Sequence, residues 1–376
     1  MSKNVLISGG GVAGLALACW LDDAGFGVTI VERSAEWRAG GQAIDVRGVA
    51  LDVVKAMGLL DAIAERRTQL RGMSTVDSEG NEIERTEERT YSAGRLDSPD
   101  IEIFRDDLCK LLMEKAGSRI DYLLGDSIRA LTQDSDGVSV VFKGGAERRY
   151  DLVIGADGVY SQVRKLVFGG EEAFVKPLGV ALALFTTPNL IDLDHWQIAY
   201  RDETMGSVIY PSFDHRQLRV SVGFGTDDVH VGRDDVAAQK AVVAEKSAHL
   251  GGVFPQLIEA MGDASQFYYG ELAQIRMPSW SQGRVVLAGD AAHCASPFSG
   301  QGTSLALVGA LVLARELART PEDFAQAFAA YEQRMRPFVD LNQALVDLER
   351  RGPAPDDQFT RAKNGIVLDD LLNRVA

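Results

Sequence analysis

Cysteine is scarce. The 376 residues include three, Cys19, Cys109 and Cys294, with no CxxC spacing. That excludes a disulfide framework and a cysteine zinc site, and leaves the three as small buried apolar side chains. Long apolar runs are missing too. No stretch reaches the roughly 18 apolar residues of a membrane span. The nearest, LALVGALVLARELA, is broken by Arg315 and Glu316. The opening MSKNVLISGGG is a short apolar run leading into glycines, which reads as a strand and not a secretory h-region. Positive charge is also short. With 39 Lys and Arg against 54 Asp and Glu, the net charge is −15. Such a chain repels phosphate backbones, so no nucleic-acid partner is expected, although a local basic pocket can still take one phosphorylated cofactor. No internal repeat, low-complexity segment or obvious coiled coil is present. The expectation is a cytosolic, monomeric, globular enzyme without a membrane partner, long enough for one large domain or two ordinary ones.

What is present has α/β character. Residues 4–33 read as one β-α-β unit, with a helix closed by Gly25. One helix is expected over 48–65 and another over 104–117. MSTVDSEGNEIER alternates with period two around a turn and reads as a hairpin; residues 127–150 read as a β-meander with turns at DSDG and KGG. DLVIGADG is a strand running into a turn. Between about 171 and 275 the pattern becomes antiparallel, through VALALFTTP, WQIAYRDE, SVIYPSF and QLRVSVGFG, followed by a polar helix near 234–248. RVVLAGD then returns to parallel-strand character, and TSLALVGALVLARELA reads as a buried helix. A long amphipathic helix is expected over 321–350, a break at RGPAPDD, and a last short helix from Asn364 to Val375.

Four motifs carry chemistry. GGGVAG places Gly9, Gly11 and Gly14 in GxGxxG spacing after a strand and before a helix, with Glu32 closing the next strand. The glycines allow a tight turn and close approach of a pyrophosphate at a helix N-terminus, and the acid suits a ribose hydroxyl. The dinucleotide could be NAD, NADP or FAD. Arg105 stands at a strand-to-helix junction in IEIFRDDLCKLL, and either reaches a phosphate or ribityl chain or pairs with Asp106 or Asp107. In DLVIGADGVYSQVRK, Asp157 and Gly158 end a strand and Arg164 follows; Asp157 either lines a nucleotide crevice or caps the helix. In GRVVLAGDAAHCASPFSGQG, Asp290 stands past a strand end, where it can accept bonds from a polyol. The PFSGQG loop that follows, with Pro297, Gly300 and Gly302, presents backbone N–H groups that suit the negative charge of a reduced flavin ring. His293, beside that motif, is either a contact or a structural histidine. No Ser-His-Asp arrangement or metal cluster is called for.

GxGxxG with its acid, the DG stretch and the GD stretch, in this order, resemble the single-component (group A) FAD-dependent aromatic hydroxylases along nearly the whole chain. Within them, GGQAIDVRG and the chain's size resemble the TetX-type tetracycline-inactivating monooxygenases. The resemblance implies a GR2-type Rossmann-like FAD-binding domain over 1–70, 100–170 and 276–320. It implies an inserted antiparallel substrate domain over 71–99 and 171–275, and a C-terminal bridging helix within 321–376. Cofactor contacts are implied for Glu32, Arg33, Asp45, Arg105, Asp157 and Asp290, and NADPH contact for Arg38. The implied chemistry needs no nucleophilic side chain: NADPH or NADH reduces FAD, O2 adds to give a flavin C(4a)-hydroperoxide, and oxygen passes to an aromatic or polycyclic small molecule, tetracycline-like or another polyketide compound. The inserted sheet, with Tyr210, Pro211, Phe213 and Arg219, departs from the polar substrate contacts of the tetracycline-inactivating branch. Phe185, Trp196, Tyr210, Phe213, Phe224 and Phe298 suggest an apolar, aromatic pocket, while any single one of them reads as ordinary core packing. Three other readings are a flavin dehydrogenase or reductase of the same fold, a flavoprotein that shields an intermediate, and a plain NAD-dependent dehydrogenase.

Overall fold

The structure, a computed structural model, describes residues 3–37, 40–350 and 354–372. β1 (Asn4–Ser8) runs into the glycine turn, α1 (Val12–Asp23) returns along the sheet, and β2 (Gly27–Glu32) pairs with β1 in parallel. After β3 (Ala43–Val46) the helix expected over 48–65 is broken in two, α2 (Ala50–Ala56) and α3 (Leu60–Glu65). The cause is Gly58, at φ +74. Its N–H bonds Lys55 O and the Leu59 N–H bonds Val54 O, which together close the first helix with a Schellman cap.

β4 (Met73–Val76) and β5 (Glu82–Thr86) form the expected hairpin. A minimal ribbon, β6 (Arg89–Thr90) and β7 (Gly94–Arg95), leads to β8 (Ile101–Phe104), which is antiparallel to β3, and to α4 (Arg105–Ala116). An unanticipated strand, β9 (Asp121–Leu124), pairs with β2 in parallel. The expected meander is β10 (Ile128–Gln133), β11 (Val138–Phe142) and β12 (Glu147–Tyr150). β13 (Leu152–Gly155) and α5 (Gln162–Phe168) close this half.

The middle of the chain builds a second sheet from β14 (Val175–Pro188), β15 (Gln197–Arg201), β16 (Met205–Pro211), β17 (Gln217–Gly225) and β18 (Phe267–Ile275). With the early hairpin it has seven strands, in the order β18-β14-β17-β16-β15-β4-β5. Every pair is antiparallel except β15 with β4. Between β17 and β18 stand α6 (Val236–Lys246) and α7 (Phe254–Asp263). The second helix was not anticipated, although Phe254, Leu257 and Met261 fall at helical spacing and are its buried residues. Apolar side chains of both helices pack with Val220, Val222 and Phe224 of the sheet into a core of their own.

The chain then returns to the first sheet through β19 (Ser281–Gln282) and β20 (Val285–Leu287). That sheet is ordered β19-β20-β13-β1-β2-β9 and is parallel throughout except between β19 and β20. α8 (Asp290–His293) and the long buried α9 (Gly302–Arg319) follow. α9 packs against α1, so α1 is covered by the sheet on one side and by helices on another; Ala13 to Leu21 are all buried.

At the C-terminal end three expectations are corrected. α10 (Phe324–Gln343) ends before 350. α11 (Asp356–Lys363) forms where the sequence reads as a break: Pro355 precedes its first turn with extended backbone, and Asp356 and Asp357 complement that turn. The last helix, α12 (Asp369–Leu372), is shorter than the stretch 364–375, whose end lies outside the described residues.

Candidate active site

β1, β2, β13 and β20 are parallel neighbours or near neighbours, so their carboxyl ends lie along one edge of the sheet. Each ends in one motif. In an open parallel sheet the crevice off that edge is where ligands bind. Gly9, at φ +110, sits so close to the β13 turn that a Cβ there would lie 2.4 Å from Ala156 O. A Cβ on Gly14 would lie 2.0 Å from Gly9 O. Gly11 differs: a Cβ there would meet only Arg105 Nη2, at 3.8 Å. The first and third glycines thus close the turn, while the second leaves the α1 N-terminus open beside a guanidinium. Glu32 Oε2 accepts from the Gly10 N–H at 2.9 Å and Oε1 from the Ser34 N–H at 3.0 Å. Trp37 covers Gly10 and meets Tyr122 edge-on, with centroids 5.5 Å apart. Arg33 is exposed.

At the other end of the edge, Gly289 (φ +57) brings the GD turn against α1; a Cβ on it would lie 2.8 Å from Ala13 Cβ. Asp290 is solvent-exposed although protein surrounds it, which marks a residue lining a crevice. Desolvation pushes its carboxyl up, while the Cys294 thiol and the Arg105 guanidinium pull it down. The PFSGQG loop follows, with Gly300 in the left-handed region (φ +61) and Pro297 and Phe298 exposed. Gln301 is fully buried, and neither polar atom of its amide has a partner.

Arg47 faces this loop; a Cβ on Gly300 would lie 3.8 Å from its Cζ. Its Nη2 lies 2.7 Å from Asp45 Oδ2 and donates to Ser92 O at 3.0 Å, and its N–H donates to Ser304 Oγ at 3.0 Å. Asp45 Oδ1 and Arg47 Nε are buried without partners. Across the β3–β8 pair, Asp45 stands opposite Glu102, which accepts from the Thr68 hydroxyl. Burial pushes Asp45 up to about 6 against the pull of Arg47. Burial, and then the Asp45 charge, push Glu102 up to about 7. Sequence reading missed Arg47, Glu102, Trp37 and Gln301. Arg47 had a local signal: it stands two residues after Asp45, just past the end of β3, where continued extended backbone shares that face. Glu102 had none, since its partner lies on a distant strand.

The seven-stranded sheet meets this region through Tyr210 and Arg219, which are cross-strand partners. The Tyr210 hydroxyl accepts from the Ala43 N–H at 2.9 Å, and its ring stacks on Phe104 with centroids 6.3 Å apart. Arg219 lies over the Phe104 ring at 5.5 Å and donates to Thr186 Oγ1 at 2.7 Å and Gln266 Oε1 at 3.1 Å.

Other expected residues have partners within the protein; Asp157 lies against Gly9 and accepts from the Ser8 hydroxyl at 3.4 Å. Asp157 accepts from the Ser161 hydroxyl and from the N–H groups of Gln162 (2.9 Å) and Val163 (3.2 Å), so its carboxylate caps α5. Arg164 is buried and donates to Ala291 O at 2.9 Å, buckling the DG segment to the GD segment. His293 is buried between Trp280 and Tyr331, 3.2 Å from the tyrosine hydroxyl, and burial lowers it to about 4. The six aromatic residues do not form one pocket. Phe185 and Phe224 belong to the core beneath α6 and α7. Trp196 bonds Ser74 and lies under Arg85, Phe213 is exposed on the β16–β17 turn, and Phe298 is exposed on the crevice loop. The alternation along β17 sends Phe224 to the face opposite Arg219. Cys19 and Cys294 are buried, the first raised to about 12 by desolvation. Arg38 lies outside the described residues.

Fold and crevice define a dinucleotide-binding α/β protein with a second, antiparallel sheet. Comparison with known proteins narrows the class. Residues 2–344 match the family described as "FAD binding domain". The chain is 46% identical over 371 residues to the uncharacterized protein Rv1260 of Mycobacterium tuberculosis (strain ATCC 25618 / H37Rv), covering 98% of this chain and 100% of that protein. It is 38% identical over 347 residues to a flavin-dependent monooxygenase from an unknown prokaryotic organism, covering 92% and 88% of the two. The crystal structure of tetracycline destructase Tet(51) matches with a TM-score of 0.89 at 32% identity, over 98% of this chain and 99% of that one. The chain therefore belongs to the FAD-binding-domain family of flavin-dependent monooxygenases. No helix among the described residues is long and apolar enough to cross a membrane.

Proposed function

We propose that this protein is an NAD(P)H-consuming FAD monooxygenase that hydroxylates an aromatic or polycyclic small molecule, with residues 1–70, 100–170 and 276–320 holding the cofactor. The observation that carries this is the convergence of GGGVAG, Glu32, Arg105 and Asp290 on one edge of the parallel sheet. FAD fits the groups there. The open face of Gly11 beside Arg105 suits the pyrophosphate, Glu32 the ribose and Asp290 the ribityl chain. The unpartnered atoms of Asp45, Arg47 and Gln301 beside the PFSGQG loop suit a polar ring edge. When bound, FAD supplies hydride acceptance and oxygen activation. The chain's own part is to orient and to exclude water. The backbone of Pro297, Gly300 and Gly302 would hold the ring, and Tyr210 and Arg219 would line the substrate side. Arg38 takes NADPH, so Arg38→Ala raises the Michaelis constant for NADPH more than it disturbs the flavin. The printed name of the structural neighbour Tet(51), a tetracycline destructase, supports a tetracycline-like polycyclic substrate.

The test is an absorbance spectrum of the purified protein under anaerobic NADPH, followed by oxygen. Bleaching that quickens with an aromatic ligand and reverses with oxygen, together with a product heavier by one oxygen atom, is the expected result. Flavin that NADPH never reduces would instead leave a binding protein, and a protein that takes up no added FAD would overturn the reading of the crevice.

A further inference from the structure

Away from the crevice, two connections of the seven-stranded sheet meet. The loop before β15 carries Asp194 and His195, and the turn between β16 and β17 carries His215. His215 Nδ1 lies 2.7 Å from Asp194 Oδ1, and His195 Nε2 lies 3.6 Å from the same oxygen. The two imidazoles meet edge to face with centroids 4.1 Å apart. The candidate ligand atoms of the three residues all lie within 4.8 Å of one another, the only such trio among the described residues.

A histidine–aspartate pair would account for one ring, not for two converging on one oxygen. Both histidines hold left-handed backbone, at φ 48 and φ 58. A residue with a Cβ pays about 1 kcal/mol or more for that conformation. Surrounding bonds hold it there: the Arg71 N–H donates to His195 O at 2.8 Å, and the Asn189 side-chain amide donates to His215 O at 2.8 Å and Leu193 O at 3.0 Å. Arg71 Nη2 also donates to Asp194 Oδ2 at 3.0 Å. That bond fixes the carboxylate and leaves Oδ1 to the imidazoles, in the way outer partners orient a ligating carboxylate.

We propose that Asp194, His195 and His215 form a binding site for a divalent first-row transition metal ion such as zinc, separate from the crevice. Two imidazoles and one carboxylate suit such an ion, whose bonds of about 2.0–2.2 Å need only small side-chain adjustments from the present spacing. Three protein ligands leave a further position for water or a small ligand. Both histidines border a small cleft with Thr68, Phe104 and Phe213. The Phe104 ring, in turn, carries Tyr210 and Arg219. A bound ion would therefore clamp two loops one aromatic ring away from the substrate side of the sheet.

The test uses the full chain as purified, with no histidine tag, after chelator treatment. Zn2+ is titrated by calorimetry, and Co2+ is followed by its visible absorption. One Zn2+ per chain is expected, with Co2+ bands of a four- or five-coordinate site containing nitrogen ligands. His195→Asn and His215→Asn remove the imidazoles while asparagine tolerates the left-handed backbone. Each should weaken Zn2+ binding about 100-fold or more, with circular dichroism and flavin content unchanged. The acidic surface will attract cations weakly. Zn2+ binding in the double variant equal to that of the parent, or no stoichiometric binding in the parent, would overturn the site. Neither result depends on the flavin chemistry.

Discussion

Asp45 and Glu102 face each other across β3 and β8; among the described residues Arg47 is the cation that bonds Asp45, and its charge also acts on Glu102. One positive charge cannot offset two buried negative ones, so burial raises both carboxyls. A raised carboxyl favours the fold only while it is protonated. Its penalty begins above the unfolded value, 4.5 for Glu102, and is complete above about 7. Glu102→Gln should therefore stabilise the protein by about 3 kcal/mol at pH 8, and the gain should vanish below pH 4.5. Thermal unfolding across that pH range checks it; a gain independent of pH would mean that the pair does not titrate. In the crevice beside the PFSGQG loop, Asp290→Ala should weaken FAD retention roughly tenfold to a hundredfold, the worth of a bond to a charged group. Flavin release on dilution reads this directly, and a normally yellow variant would remove Asp290 from the cofactor's contacts.

Among elements, α5 starts on two side chains: Ser161 at the N-cap accepts from the Arg164 N–H, and the Asp157 carboxylate takes the N–H groups of Gln162 and Val163. Asp157→Ala should cost about 1 kcal/mol of stability, as loss of a helix cap does. If the carboxylate acts only as a cap, the flavin content of the folded protein stays unchanged; lost flavin at full stability would put Asp157 in contact with the cofactor. α7 shows the reverse case, an element whose amphipathic spacing was plain in the residues yet went unread beside the polar helix before it.

At the scale of the molecule, one side chain joins the seven-stranded sheet and the segment after the GD turn to the C-terminal helix. Gln343, on α10, donates to Ile275 O at the end of β18 (2.9 Å) and to Cys294 O just past α8 (3.0 Å), and its own carbonyl accepts from Gln274 at 2.8 Å. The site is buried, so water cannot replace the lost donor. Gln343→Leu should lower stability by about 2 kcal/mol, measured by denaturant titration, within a single transition. Two separate transitions in the parent protein would show that the sheets unfold independently.

Much of the crevice edge was legible in the residues, because its signals are local. A GxGxxG turn, an acid closing a strand and an aspartate after a strand are each set within a few residues by backbone sterics and by the bonds a strand end leaves free. Tertiary structure decided what local chemistry does not constrain. Pairing of distant strands set Glu102 opposite Asp45, and the alternation of β17 turned Phe224 into a core and left Arg219 on the other face. Two loops far apart in their local signals brought His195 and His215 to one carboxylate. Register and face depend on which strand lies alongside, and no single stretch of this sequence contains that information.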